Sequence, residues 1–455
     1  MNQLEVNNRD KWGGDFLNST NFLIASLTLV ALISIQPFFI WSHSKLYYSA
    51  STLLLCLSYL FYFKNVKQFN WDNLVFILCC LFFLIYITLL PKANHQHVRW
   101  IFLMPFIVAY FSLPFTLQKK VCEFFSLSFL LTLLPGILIL LLMILAIPVP
   151  FTTMDSPVSS FSQSGVYYLC FPGAIFINTN SILLPNGGIL SRLCGIWGEP
   201  GTVGTVCALL LAAEGFQLKH FRSKLIWLAG FLAFSLAFFA LFLIGACLFS
   251  LLERRFNLIA YVLLSILGVC LSLGTLSPMY DGAKKDFIQR VDKEKKTKVT
   301  SKLLIDSSGR KISLGTSLRQ NEIIDNRSSM QMNELFREYL FSDVKTLLLG
   351  IASDASDVYG GDNKATWKII FTNYGVIGFL LLMAIFLYYA CLFVKSKNNV
   401  TYIALFFFLF FLSFYQRPII WLPFYFVIFS GGIIGLSSRF EQQEMHLLGA
   451  ETNAV

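Results

Sequence analysis

Arg192 and Glu199 stand seven residues apart in "SRLCGIWGEPGTVG" (191–204), separated by two glycines, a cysteine and a tryptophan. Two further arginines share an aromatic or amphipathic setting: Arg417 in "SFYQRPIIWLPFY" and Arg327 just ahead of the run "MQMNELFREYL". A guanidinium is a rigid fork of donors that stays charged in any surroundings and matches a phosphate in bidentate fashion. Three of them converging at one membrane face would hold a lipid-linked phosphate or pyrophosphate. A carboxylate beside them offers a base for an attacking hydroxyl. The alternative for Arg192 is snorkelling to the membrane interface. For Glu199 it is capping the helix that Pro200 opens, since proline suits the first helical position and a carboxylate gains from the helix dipole. Gly201 and Gly204 would then serve close helix packing.

The surroundings of these charges are apolar. The 455 residues are 56% hydrophobic and 13% charged, with 47 phenylalanines and a mean hydropathy of +0.67. Runs of bilayer-spanning length recur along the chain, which makes it an all-α polytopic membrane protein. Spans are expected near 21–41, 47–63, 73–90, 100–117, 124–147, 198–214, 225–237, 239–252, 257–275, 373–394, 400–415 and 418–436, about twelve transmembrane helices. The seventh and eighth are short, and Gly230 and Ser235 would allow a break between them. Basic clusters at Lys64 and Lys67, Lys119 and Lys120, Lys219 to Lys224, Arg254 and Arg255, and Lys395 and Lys397 fall in alternate connections. Placing them all in the cytoplasm puts both termini there too, with Lys92 and Arg99 as exceptions. Residues 1–20 and 437–455 are then cytoplasmic tails, 21–275 carries nine spans, and 364–436 carries three. Two polar stretches lie outside: about 148–192, and the long loop 276–363.

Within that long loop Met332, Leu335, Phe336, Tyr339 and Leu340 form an amphipathic face, with Ser328 and Gln331 spaced as a capping box. The lysine-rich "DKEKKTKVTSK" reads as a solvated segment. The net charge of +10 is explained by cytoplasmic loops and calls for no nucleic acid. Ten cysteines show no metal or redox spacing. Only Cys170 and Cys194 are placed where a disulfide is conceivable. No metal cluster or cofactor motif is found.

"RLCGIWGEPGTVG" resembles the Arg–Gly–Glu–Pro–Gly signature of O-antigen polymerases, the Wzy-type family. "FREYLFSDVKTLLLGIASDASDVYGGDNKATWKIIFTNYGVIGFLLL" resembles the end of that family's long periplasmic loop, with Gly375 and Gly378 as its Gly-x-x-Gly, and "YQRP" precedes the last span in many members. The resemblance implies a GT-C-like polysaccharide polymerase/ligase architecture in the bacterial inner membrane, with a long periplasmic loop containing short helices. It implies a metal-independent glycosyltransferase that joins undecaprenyl-pyrophosphate-linked oligosaccharides at the periplasmic face. Arg192, Arg327 and Arg417 would then clamp pyrophosphate, with Glu199 the base and Asp362, Asn363 and Tyr339 secondary substrate-binding candidates. Membrane lipid is an expected partner, and whether a chain-length regulator (a co-polymerase) docks on the loops is open. The related O-antigen ligases carry a histidine near the end of the long loop. Here that place holds Asp362, Asn363 and Lys364, while His43, His95, His97, His220 and His446 lie elsewhere. A lipid-linked oligosaccharide flippase or transporter would show repeat symmetry, and none is found. A peptidoglycan-type elongation synthase is the most distant alternative.

Overall fold

A computed structural model describes residues 9–66, 68–92, 103–155, 167–178, 181–183, 189–253, 258, 260–268, 270, 304–305, 311–312, 330–359, 367–394, 397–415 and 421–452. The first five helices are α1 (Arg9–Ser34), α2 (Ser44–Val66), α3 (Leu74–Leu89), α4 (Leu103–Phe111) and α5 (Phe115–Ile144). Short strands β1 (Thr152–Asp155), β2 (Tyr167–Phe171), β3 (Ala174–Ile177), β4 (Ser181–Leu183) and β5 (Ile189–Ser191) follow. Then come α6 (Pro200–Ala213), α7 (Phe221–Leu232) and α8 (Leu236–Glu253). After them the short helices α9 (Met330–Leu340), α10 (Val344–Leu349) and α11 (Ala355–Tyr359) precede α12 (Lys368–Cys391), α13 (Lys397–Phe414) and α14 (Pro423–Thr452).

Five segments are long and apolar enough to cross a membrane: 38–66, 71–89, 115–144, 236–253 and 368–391. They bear unbroken apolar outer stripes. Leu53, Leu57, Leu60 and Phe61 on α2, and Leu131, Leu134, Leu138 and Leu141 on α5, are exposed at helical spacing. Stripes of that extent belong against lipid. The chain is therefore an all-α membrane protein with small antiparallel sheets added. Those sheets lie where the sequence reading left a polar loop. β1, β2 and β3 pair in order, with Phe171 opposite Ala174 across a two-residue turn, Pro172–Gly173. Gly173 takes φ +79 there, as the second central residue of a Pro-Gly turn must.

At the centre stands α6. Every residue from Val203 to Ala212 is buried, and a helix apolar all round belongs inside a bundle. It packs on α7, α8 and α14. Gly204 shows how tightly: a Cβ there would come within 2.6 Å of the Ser235 Cβ, the close packing its sequence suggested.

Several boundaries depart from the hydropathy reading. Helix begins at Arg9 and continues to Thr452, into both stretches read as tails. The fourth span ends at Phe111, and α5 already starts at Phe115, so Lys119 and Lys120 sit within its first turns. Side-chain amides bond the backbone of the connection: Asn70 Nδ2 donates to Leu113 O, Asn73 Nδ2 to Phe111 O and Gln118 Nε2 to Leu113 O. The break between the seventh and eighth spans falls at 233–235, where Phe234 takes φ +43. Gly230 is not the hinge. It sits inside α7, and a Cβ on it would meet the Phe238 ring at 2.2 Å.

Candidate functional site

The segment 192–199 is a rigid loop tied to four elements. Gly195 takes φ +62, and a Cβ there would lie 2.7 Å from Leu133 Cδ2, so only glycine fits. Its carbonyl accepts from Ile175 N of β3, the Ile196 carbonyl accepts from Phe38 N, and Trp197 bridges to Pro37. Trp197 is 1% exposed and stacks on Phe129 of α5 at 5.4 Å. Pro135 and Gly136 of α5 make the seat: Gly136 approaches Leu193 and Gly195, and Pro135 lies under Gly173. Tyr168 OH donates to Gly198 O at 3.0 Å, and Trp41 covers Gly198.

The fourth tie is the one that positions Arg192. A helix ending inside a bundle leaves carbonyls that must find donors. Where α7 stops, Leu193 N donates to Leu232 O at 3.0 Å and Arg192 Nε to Ala233 O at 3.2 Å. A cation at a helix C-terminus also meets the negative end of its dipole. Arg192 is half-buried.

Glu199 is the N-cap residue of α6 by backbone geometry, with φ −146 and ψ 136, and Pro200 follows as first helical residue. Its carbonyl accepts from Thr202 N and Val203 N. Its carboxylate makes no cap hydrogen bond and the residue is exposed. The fold thus fixes the backbone of Glu199 at the head of α6 without a side-chain cap bond.

Cys194 lies between the two charges. Burial pushes its thiol up to about 12, while Arg192 pulls it down and Glu199 pushes it up again. The thiol stays protonated and is no nucleophile. It is also free, as is Cys170, so no disulfide joins them. What the charged pair and its loop offer is a cation and an exposed carboxylate held on one stiff scaffold, at the mouth of the central helix.

A second cluster forms where α9–α11 meet the head of α12. Gly350 and Gly375 both have positive φ, +84 and +65, and pack backbone to backbone, a Cβ on Gly375 falling 2.2 Å from Leu348 O. Gly375 kinks α12, and Tyr86 OH donates to Tyr374 O beside it at 2.8 Å. Ile351 N bonds Thr372 O. The buried Asn373 clasps Ser356 through both amide atoms. Met332, Leu335 and Tyr339 of the amphipathic face are buried, whereas Leu340 is exposed. Tyr339 OH donates to Leu347 O at 2.7 Å, which gives it a structural place in this cluster.

On the same helix Glu334 and Glu338, missed in the sequence reading, lie one turn apart. Burial raises both carboxyl pKa values, and at Glu338 the charge of Glu334 adds to the rise. Their i, i+4 spacing was the available signal. Arg327, Asp362, Asn363 and Arg417, with the Ser328 part of the capping box, lie outside the described residues. Among the described residues no three metal-ligating side chains gather. No family model, no curated protein and no solved structure matches this chain.

Proposed function

We propose that this chain is a polysaccharide polymerase of the O-antigen type. It joins undecaprenyl-pyrophosphate-linked oligosaccharide repeat units at the periplasmic face of the bacterial inner membrane. One observation carries the reading: Arg192 and Glu199 are presented together on a loop that the α1–α2 connection, α5, β3 and the end of α7 immobilise. Transfer breaks the bond between the anomeric carbon of the growing glycan and its lipid pyrophosphate. A hydroxyl at the non-reducing end of the incoming unit forms the new bond. The pyrophosphate leaves readily, so the gain comes from positive charge preorganised around its oxygens. Arg192 supplies that charge, with Arg327 and Arg417 as its proposed companions. Glu199 takes the hydroxyl proton.

Twelve crossings with cytoplasmic termini fit this reading. The polar pairs Glu214 with Arg222 and Ser223, Glu253 with Arg439, and Lys119 with Ser438 gather at the far end of α6 and α8 from the loop. That end is the one where basic connections belong if it faces the cytoplasm. The test in cells is Arg192→Ala. Surface glycan is expected to collapse from a ladder to single repeats while export of one repeat continues. A ladder of normal length at normal protein level would refute the assignment.

A further inference from the structure

Glu199 stands between two peptide planes, and the fold holds both. The plane after it is fixed by Pro200 and by the first turn of α6, where Thr202 N and Val203 N donate to the Glu199 carbonyl. The plane before it joins the Gly198 carbonyl and the Glu199 N–H in one rigid unit. Tyr168 OH donates to that carbonyl at 3.0 Å. With both planes set, the Cα–Cβ bond of Glu199 has one direction, and only the side-chain torsions are left to aim the carboxylate.

Tyr168 is itself held by a small core apart from the main one. It lies in the middle strand of the three-stranded sheet, opposite Met154 and Ile177. It is 4% exposed and packs with the buried Ile175 and Cys194. Trp41, from the turn between α1 and α2, joins this cluster, its ring 5.2 Å from that of Tyr168. The indole N–H donates to Gln36 O at 3.1 Å, and Trp41 Cζ2 stands 2.8 Å from where a Cβ on Gly198 would be. A buried tyrosine hydroxyl needs a partner, and for packing alone any carbonyl would serve. Here the partner is the peptide that leads into Glu199.

We propose that Tyr168 is a positioning residue for glycan transfer: braced by Trp41, it locks the Gly198–Glu199 peptide and so sets where the base stands. This role rests on the polymerase reading, in which Glu199 is that base. Initial rates of chain formation by the full-length protein on undecaprenyl-pyrophosphate-linked repeat units provide the test. Tyr168→Phe removes one oxygen and keeps the ring. It is expected to lower kcat about tenfold to a hundredfold while KM stays within about twofold of wild type. In the Glu199→Gln background the same change should slow the reaction no further, because a base that is absent cannot be misplaced. Trp41→Phe, which keeps an aromatic ring beside Gly198, should retain more of kcat than Trp41→Ala. A Tyr168→Phe protein with wild-type kcat would overturn the positioning role and leave that of Glu199 standing. So would equal slowing by Tyr168→Phe with and without the Glu199 carboxylate, the mark of a purely structural contact. A Glu199→Gln protein working at the wild-type rate would overturn the base assignment, and the role of Tyr168 with it.

Discussion

Arg192 and Glu199 differ in how the fold holds them, and the difference can be tested. Arg192 has a structural bond, Nε to Ala233 O, as well as its proposed role, so its loss is expected to touch both stability and turnover. Glu199 separates the two. A side-chain cap is worth about 1 kcal/mol, yet no cap bond is made here. Glu199→Gln is therefore expected to leave the melting temperature in detergent unchanged while slowing glycan transfer about 10²- to 10⁴-fold. A destabilised but active Glu199→Gln protein would restore the capping reading. Both residues stood out in the sequence because charge beside glycine and proline is conspicuous in an apolar chain. The partner of Arg192 was not legible. It is a backbone carbonyl forty-one residues away, at a break that Ser235 marks in the sequence but whose approach to Arg192 only the fold creates.

At the scale of elements, the two glycine-dependent sites differ in what they tolerate. Gly350 and Gly375 pair backbone against backbone at positive φ, so neither clash can be relieved by a side-chain rotation. Alanine at either place is expected to cost at least the about 1–3 kcal/mol of a strained backbone, seen as a lower melting temperature and loosened protease protection of α9–α11. The Gly-x-x-Gly pattern was visible in the sequence, but its use as a kink rather than as a helix-packing face depends on the approach of α10. The β2–β3 hairpin was likewise written in Pro172–Gly173 between two β-rich runs, and an apolar reading of the chain passed over it. Gly230 illustrates the reverse error: a glycine inside an apolar run suggested a hinge, and the Phe238 ring beside it explains it as packing.

Helix α9 adds a pH dependence. Burial raises the carboxyl pKa of Glu334 and Glu338, so the folded protein keeps protons that the unfolded chain has already released. Their contribution to stability is full below the ordinary carboxylate range and is lost as pH rises through the raised values. Glu334→Gln and Glu338→Gln are each expected to flatten the decline of thermal stability from about pH 4 to pH 7. A steeper decline in both would contradict the desolvated placement.

At the scale of the whole molecule, two ion pairs among the described residues, Glu214 with Arg222 and Glu253 with Arg439, hold the end of the bundle far from the site. Arg439 bonds both carboxylate oxygens of Glu253 at 3.1 and 3.2 Å, with side chains 18% and 9% exposed. Removing one partner leaves the other buried, so Arg439→Ala is expected to cost about 2 kcal/mol or more. Adding Glu253→Gln should recover much of it, read as a double-mutant cycle of thermal melts. The membrane class was legible from composition because apolar run length is a direct physical requirement. The central place of α6 was not, since a helix buried by neighbours and one buried by lipid have the same hydropathy.

The most direct measurement is polymerisation by the purified full-length protein, given undecaprenyl-pyrophosphate-linked repeat units in detergent with a chelator present. Chains of two or more repeats are expected with the wild type, with release of undecaprenyl pyrophosphate in step. Arg192→Ala, folded by its melting curve, should form none. An Arg192→Ala protein that builds chains at the wild-type rate would contradict the account, and so would a folded wild type that builds none.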